Sequence, residues 1–251
     1  MSEAELVALQ HTLYESRNAT RRWLHNSRQQ WITRAIGKYC PVGERALEVG
    51  PGSGIYIPTL KSVCREVYVS DCEKAYLSAI ERHYSGDRAL KPTVDDITRS
   101  TLPSNFFDLV LCTEVLEHLL DSPAALGHIT RIMKPRGILV LSTPQRYSSL
   151  ELTARVALSP GFIKLTKLIY REPVLEMGHI NLMTAASLRR QLAASKLRVL
   201  EQHKGGLYLP GVAELCGELA QRLARRLEAA LLATPFDGVL WTQYYVATRD
   251  S

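Results

Sequence analysis

The chain has 251 residues, 46% of them hydrophobic and 22% charged, with a formal net charge of +6. That composition fits one globular domain able to bury a core without disulfides or a structural metal, and it excludes a disordered chain. Five cysteines, none spaced as CxxC, speak against a thiolate metal cluster or a disulfide framework and suit a reducing compartment.

The basic excess reads first as a generally basic surface, with phosphate, nucleic-acid or anionic-membrane contact as the alternatives. The opening MSEAELVALQ is acidic and lacks the apolar centre of a secretory signal. No apolar run reaches the ~18 residues of a spanning helix. The expectation is a cytoplasmic protein that could sit peripherally on a membrane.

Taken in order, residues 3–15 and 20–37 predict helices, because Leu6, Leu9 and Leu13, then Trp23, Leu24, Trp31, Ile32, Ala35 and Ile36, recur at helical spacing. Pro41 and Gly43 end that pattern. Short apolar runs then appear at 45–49, 66–70, 107–112 and 137–142, with a weaker one at 90–94. Helix-compatible stretches separate them at about 54–62, 73–84 and 122–133. This alternation predicts a mostly parallel sheet with helices on both faces. Further on, 184–195 predicts a helix with Thr184 as N-cap, 197–203 and 241–248 predict strands, and 212–233 is helical and rich in Leu and Ala. Residues 145–180 mix apolar side chains with Arg155, Lys164, Lys167 and Arg171 and with the breakers Pro160, Gly161 and Pro173. They read as an insertion after the fifth strand.

The segment ALEVGPGSG (46–54) places Gly50, Gly52 and Gly54 directly after an apolar strand. Glycines there allow a sharp turn and close approach of a ligand to the backbone, and the following helix start offers amides to polar groups. A dinucleotide site would prefer GxGxxG, but here the third glycine comes one residue early. Asp71 closes the second strand about twenty residues later, where an acidic group can bind ribose hydroxyls. Asp95, Asp96 and Ile97 follow the third strand. FDLVLCTEVLEHL (107–119) and MKPRGILVL (133–141) complete the series.

These motifs, in order over residues 44–145, resemble those of class I S-adenosylmethionine-dependent methyltransferases. The resemblance implies an α/β, Rossmann-like, seven-stranded sheet with one antiparallel strand at 241–248. It also implies S-adenosylmethionine as cofactor, held by Tyr14, Glu48, Gly50, Gly52, Gly54, Asp71, Cys72, Asp96, Ile97 and Thr113. At the adenine contact Asp96 is favoured over Asp95. The chain divides into an N-terminal helical cap (1–40) and the methyltransferase domain (41–251), with 145–180 as lid and acceptor pocket. Tyr14, Arg17, Arg21, Arg22 and His25 on the cap could reach the cofactor carboxylate or the substrate.

The EVLEH motif (114–118) has two readings. It can be the family's ordinary spelling of this turn, without a metal. Alternatively, Glu114, Glu117 and His118 converge on one helical face and join His179 around a divalent ion such as Mg. An ExxEH followed by a distant histidine is similar to the ubiquinone-biosynthesis O-methyltransferases and the small-RNA 2'-O-methyltransferases. Without a metal, His118 and His179 are the candidate catalytic bases. His128 on a covering helix reads as structural, and His11, His25, His83 and His203 have no motif behind them.

The expected activity is methyl transfer to a hydroxyl of a small, apolar or aromatic acceptor, with C- or N-methylation next. RNA methylation is disfavoured, since no further RNA-binding element or aromatic-basic cluster is visible. A non-catalytic cofactor-binding scaffold also fits. A homo-oligomer, and membrane contact through 145–180, are further expectations.

Overall fold

The computed structural model describes residues 14–157, 179–232 and 234–250. The predicted helix over 3–15 therefore falls almost wholly outside the described residues, as does most of the 145–180 insertion.

Helix α1 (Ala19–Tyr39) starts where Asn18 caps it, its side chain accepting from the Thr20 and Arg21 amides. It ends at Cys40, one residue before Pro41. Strand β1 (Gly43–Val49) follows, then α2 (Ile57–Val63), β2 (Cys64–Asp71), α3 (Lys74–His83), β3 (Leu90–Val94) and β4 (Phe107–Thr113). Next come α4 (Ser122–Ile132), β5 (Met133–Pro144), α5 (Ser149–Ala157), α6 (Ala185–Ala194), β6 (Leu197–Gly205), α7 (Val212–Leu215), α8 (Gly217–Leu231) and β7 (Thr242–Arg249). Thr184 caps α6 as expected, accepting from the Ser187 amide.

Among the described residues the strands form one sheet in the order β3-β2-β1-β4-β5-β7-β6. Only β7 runs against its neighbours. The last four residues of β1 are all buried, as a parallel strand covered on both faces must be. One apolar layer, with Leu126, Ile129, Leu188 and Leu192, covers one face. The other holds Trp31, Ile32, Ala35 and Ile36 of α1 together with Leu60 and Ile80, packed on Ala46, Val67 and Leu109. Helix α1 thus shares the core of the sheet domain.

Three predicted boundaries shift. Strand β5 is longer than 137–142 because β7 pairs with it from Ile138 to Pro144, and because an irregular start at Met133 slips register opposite Phe107 and Leu109. The helix expected over about 54–62 begins at Ile57, after two hydrogen-bonded turns through Gly54. The single helix expected over 212–233 is two. Gly217 adopts φ +47, a left-handed conformation that breaks the α-helical path and is available mainly to glycine.

From β1 the chain winds outward to β2 and β3, then crosses back to β4 on the other side. The carboxyl ends of β1 and β4 therefore diverge and leave a crevice, the usual ligand position in an open α/β sheet.

Candidate active site

Two adjoining cavities open at that crevice and share Gly50, Gly52, Glu114 and His118. The larger, about 400 Å³, reaches Asp71, Cys72, Asp95, Asp96 and Ile97. The smaller, about 230 Å³, reaches Tyr14, Arg28, Glu48, Tyr56 and Thr113. Nine of the ten residues expected to hold the cofactor thus face one continuous space.

The tenth, Gly54, is a correction. It lies behind the loop, where an added Cβ would stand 2.8 Å from Ile57 Cδ1. Its small size lets the turn pack on α2, and it does not line either cavity. Gly50 has both roles. Its φ is +63, its amide donates to the Ser70 carbonyl at 2.8 Å, and a Cβ would sit 2.7 Å from Val115 Cγ2.

At the larger cavity, Asp71 Oδ1 accepts the Glu73 amide, and burial pushes its carboxyl above the usual range. Asp96 Oδ1 accepts from the Thr98 hydroxyl and amide, and Oδ2 meets Arg99 at 3.0 Å. These contacts hold its carboxyl low, the Thr98 hydroxyl most of all. Asp95 is the more deeply buried of the pair. Its Oδ1 accepts the Thr101 amide and its Oδ2 has no hydrogen bond. Both acids line the cavity, and the vacant acceptor belongs to Asp95, the residue ranked second from sequence.

At the smaller cavity, Glu48 is fully buried and its Oε2 has no partner. Burial pushes its carboxyl up to about 8. Arg28, on the inward face of α1, forms a 2.6 Å ion pair with Glu114 and lies beside His25 Nδ1 at 3.0 Å. Burial is the largest single influence and works against the guanidinium charge, but Glu114 together with Tyr14, Tyr56 and Tyr244 outweighs it and raises the Arg28 pKa above the usual arginine value. Arg28 was not singled out from sequence. The signal was present, since Leu24, Arg28, Trp31, Ile32, Ala35 and Ile36 share one buried stripe and Arg28 is its one charge.

The EVLEH turn is not a regular helix. Glu114 adopts φ +55, and only Leu116–His118 form a short 3₁₀ turn. Glu114 is thereby turned to Arg28 and to Ser142 Oγ, which donates to it at 2.7 Å. The expected convergence of Glu114 with Glu117 and His118 is corrected accordingly. Glu117, His118 and His179 do converge, their ligand atoms all lying within 4.8 Å of one another. The two imidazoles stand 5.2 Å apart between centroids. Glu117 is fully buried. One carboxylate oxygen accepts from Thr143 Oγ1 at 2.9 Å and the other has no partner. Burial first, then the Glu114 charge, raises its carboxyl well above the normal range. The amides of Ile180 and Asn181 both donate to the Glu117 carbonyl, which pins the His179 segment to the turn. His179 Nδ1 lies 3.2 Å from the carboxylate of Glu151, a buried residue that the sequence reading did not single out. His128 is half-buried on α4, away from this cluster, beside Arg131.

The family model described as methyltransferase domain matches residues 18–202. The chain belongs to the methyltransferase-domain family. By motif and sheet order it is a class I S-adenosylmethionine-dependent methyltransferase. The ubiquinone biosynthesis O-methyltransferase of Rhodopseudomonas palustris strain HaA2 is 33% identical over 113 residues, 43% of this methyltransferase and 42% of that protein. A Mycolicibacterium smegmatis protein assigned to the S-adenosylmethionine-dependent methyltransferases is 26% identical over 192 residues, 75% of this chain and 64% of its own length. The methyltransferase thus spans less than two thirds of both curated relatives. Among solved structures, the N-methyltransferase NodS from Bradyrhizobium japonicum with S-adenosyl-L-homocysteine superposes with a TM-score of 0.57 at 14% identity, covering 89% of this chain and 87% of that one. The cyclase SpnF gives 0.59 at 14% identity, covering 88% and 80%. These two likenesses show the fold, which hosts more than one chemistry. No helix among the described residues is long and apolar enough to cross a membrane.

Proposed function

We propose that this methyltransferase moves the methyl group of S-adenosylmethionine to a hydroxyl of a small, largely apolar or aromatic acceptor held against His118 and His179. The observation that carries the reading is the convergence of Glu117, His118 and His179 beside the crevice, with His118 lining both cavities. The ubiquinone O-methyltransferase relatives support oxygen as the methylated atom.

In this reading the larger cavity takes the nucleoside, with Asp71 at the ribose and Asp95, Asp96 and Ile97 at the adenine. The smaller takes the methionine half, whose ammonium would meet the vacant Glu48 oxygen. The acceptor oxygen attacks the methyl carbon and the carbon–sulfur bond breaks onto sulfur, leaving a neutral thioether. The hydroxyl proton goes to an imidazole of the His118–His179 pair.

A divalent cation fits the same place. The unpartnered, buried Glu117 oxygen beside two imidazoles is a mixed oxygen and nitrogen donor set, suited to Mn, Fe or Zn better than to Mg. Glu117, His118 and His179 would hold the ion, which would polarise the acceptor hydroxyl.

The test is transfer of labelled methyl to catechol and phenol acceptors, with product analysis for O-, N- or C-methylation. His118→Ala should lower kcat at least about 100-fold, the usual scale of a lost acid–base group, with cofactor affinity retained. Turnover that survives His118→Ala and His179→Ala unchanged would refute the assignment. Turnover indifferent to EDTA would refute the cation.

A further inference from the structure

We propose that Glu151 is a positioning residue that fixes His179 with its proton on Nδ1 and presents Nε2 to Glu117, His118 and the acceptor. This rests on the functional reading above and adds to it the group that sets the histidine's chemistry.

Glu151 lies in the first turn of α5, and its side chain is only 4% exposed. Its amide donates to Ser148 Oγ at 3.2 Å, and the neighbouring Ser149 hydroxyl donates to the Tyr208 carbonyl at 2.7 Å, so the start of this helix is tied down. A buried carboxylate ordinarily needs a cation or several donors. The described side-chain partner of Glu151 is His179, with Nδ1 3.2 Å from each carboxylate oxygen. One oxygen takes the hydrogen bond and the other is left without one.

In the pairing proposed, the Glu151 carboxylate accepts from Nδ1–H, and the lone pair of the ring then sits on Nε2. With Nδ1 given to Glu151, Nε2 is the ring nitrogen left to serve the cluster that Glu117, His118 and His179 form. A histidine that must bind a cation or accept a proton through one nitrogen is commonly set by a carboxylate on the other, which fixes the ring and raises its basicity.

A purely structural role for Glu151 is redundant with contacts already in place. The segment after His179 is held by the Ile180 and Asn181 amides on the Glu117 carbonyl. The Asn181 amide group also donates to the Leu119 carbonyl at 3.0 Å and to Ser122 Oγ at 2.9 Å. These bonds place the backbone of residue 179 without Glu151. What they leave undetermined is the rotation and tautomer of the ring.

The experiment uses the full chain, labelled with nitrogen-15, at a pH where the imidazole is neutral. Long-range proton–nitrogen spectra, with the His179 signals identified by their loss in His179→Gln, read the tautomer directly. Wild type should show the Nδ1–H form. Glu151→Ala should shift His179 towards the Nε2–H form that free imidazole side chains prefer. Glu151→Gln keeps an acceptor oxygen and should restore the Nδ1–H form. In parallel, Mn or Co alone is titrated into each protein. Glu151→Ala should weaken binding by about 10–100-fold, the usual cost of losing such a partner, and Glu151→Gln by less. Should Glu151→Ala not fold, Glu151→Asp keeps the charge but shortens the reach, and it should loosen the Nδ1–H form. An unchanged tautomer and unchanged metal affinity in the folded variant overturn the proposal. The failure of the parent reading looks different: Glu117→Gln and His118→Ala would then leave metal binding and methyl transfer at wild-type levels.

Discussion

Arg28 and Glu114 show how a single pair can close a site. Their side chains are 9% and 21% exposed, and they join α1 to the end of β4 across the smaller cavity. Removing one partner strands the other charge away from water, at a cost of about 3–5 kcal/mol. Arg28→Met should therefore be severely destabilising, and Arg28→Met with Glu114→Gln much less so. Chemical denaturation of the two singles and the double measures the coupling. Glu48 makes a different prediction. Its carboxyl is raised by burial to about 8, so the folded state holds the proton more tightly than the unfolded chain does. The stability from this group is fully present below the ordinary glutamate value and is lost as pH rises through about 8. Glu48→Gln should flatten the thermal-stability profile across that window and gain most over wild type at its alkaline end. Glu48 was legible in the sequence because it stands two residues before the glycine turn. Glu151 was not, since it meets His179 from 28 residues away and belongs to no motif.

At the scale of elements, the glycine loop works because its backbone is left-handed where Val115 crowds it. Gly50→Ala would place a methyl at a positive φ and 2.7 Å from Val115 Cγ2. Cofactor binding should fall below detection in calorimetry. Adding Val115→Ala would relieve the contact but not the dihedral, so recovery should be partial. The strands and their order of appearance were readable from apolar runs bounded by breakers, and Thr184 and the antiparallel last strand were read correctly. Of the two readings of the EVLEH turn, the one that brought Glu114 together with Glu117 and His118 failed for Glu114, because periodicity assumes a helix. A left-handed Glu114 breaks that assumption, and only the Arg28 and Ser142 contacts show where its carboxylate goes. The helix expected across 212–233 was likewise drawn through Gly217, since composition hides a single reversed dihedral.

For the whole molecule, the sheet order explains why residues as distant in sequence as Tyr14, Asp71, Asp96 and His118 meet. The crossing from β3 back to β4 opens one crevice, and apart from Gly54 the residues that sequence reasoning expected at the cofactor line the two cavities there. The same order decides which strands are left at the rims. β3 is one rim and carries Lys91 and Pro92, and proline brings no amide to pair with an incoming chain. β6 is the other. It carries Arg198, Glu201, His203 and Lys204 and slips register between Val199 and Glu201. Charge, proline and irregularity are the devices by which sheet rims resist templating further strands. Self-association of this protein should therefore use helices, and concentrated samples should stay free of fibrillar, dye-binding material. Lys91→Val with Pro92→Val should create such material on mild heating, as thioflavin fluorescence would report.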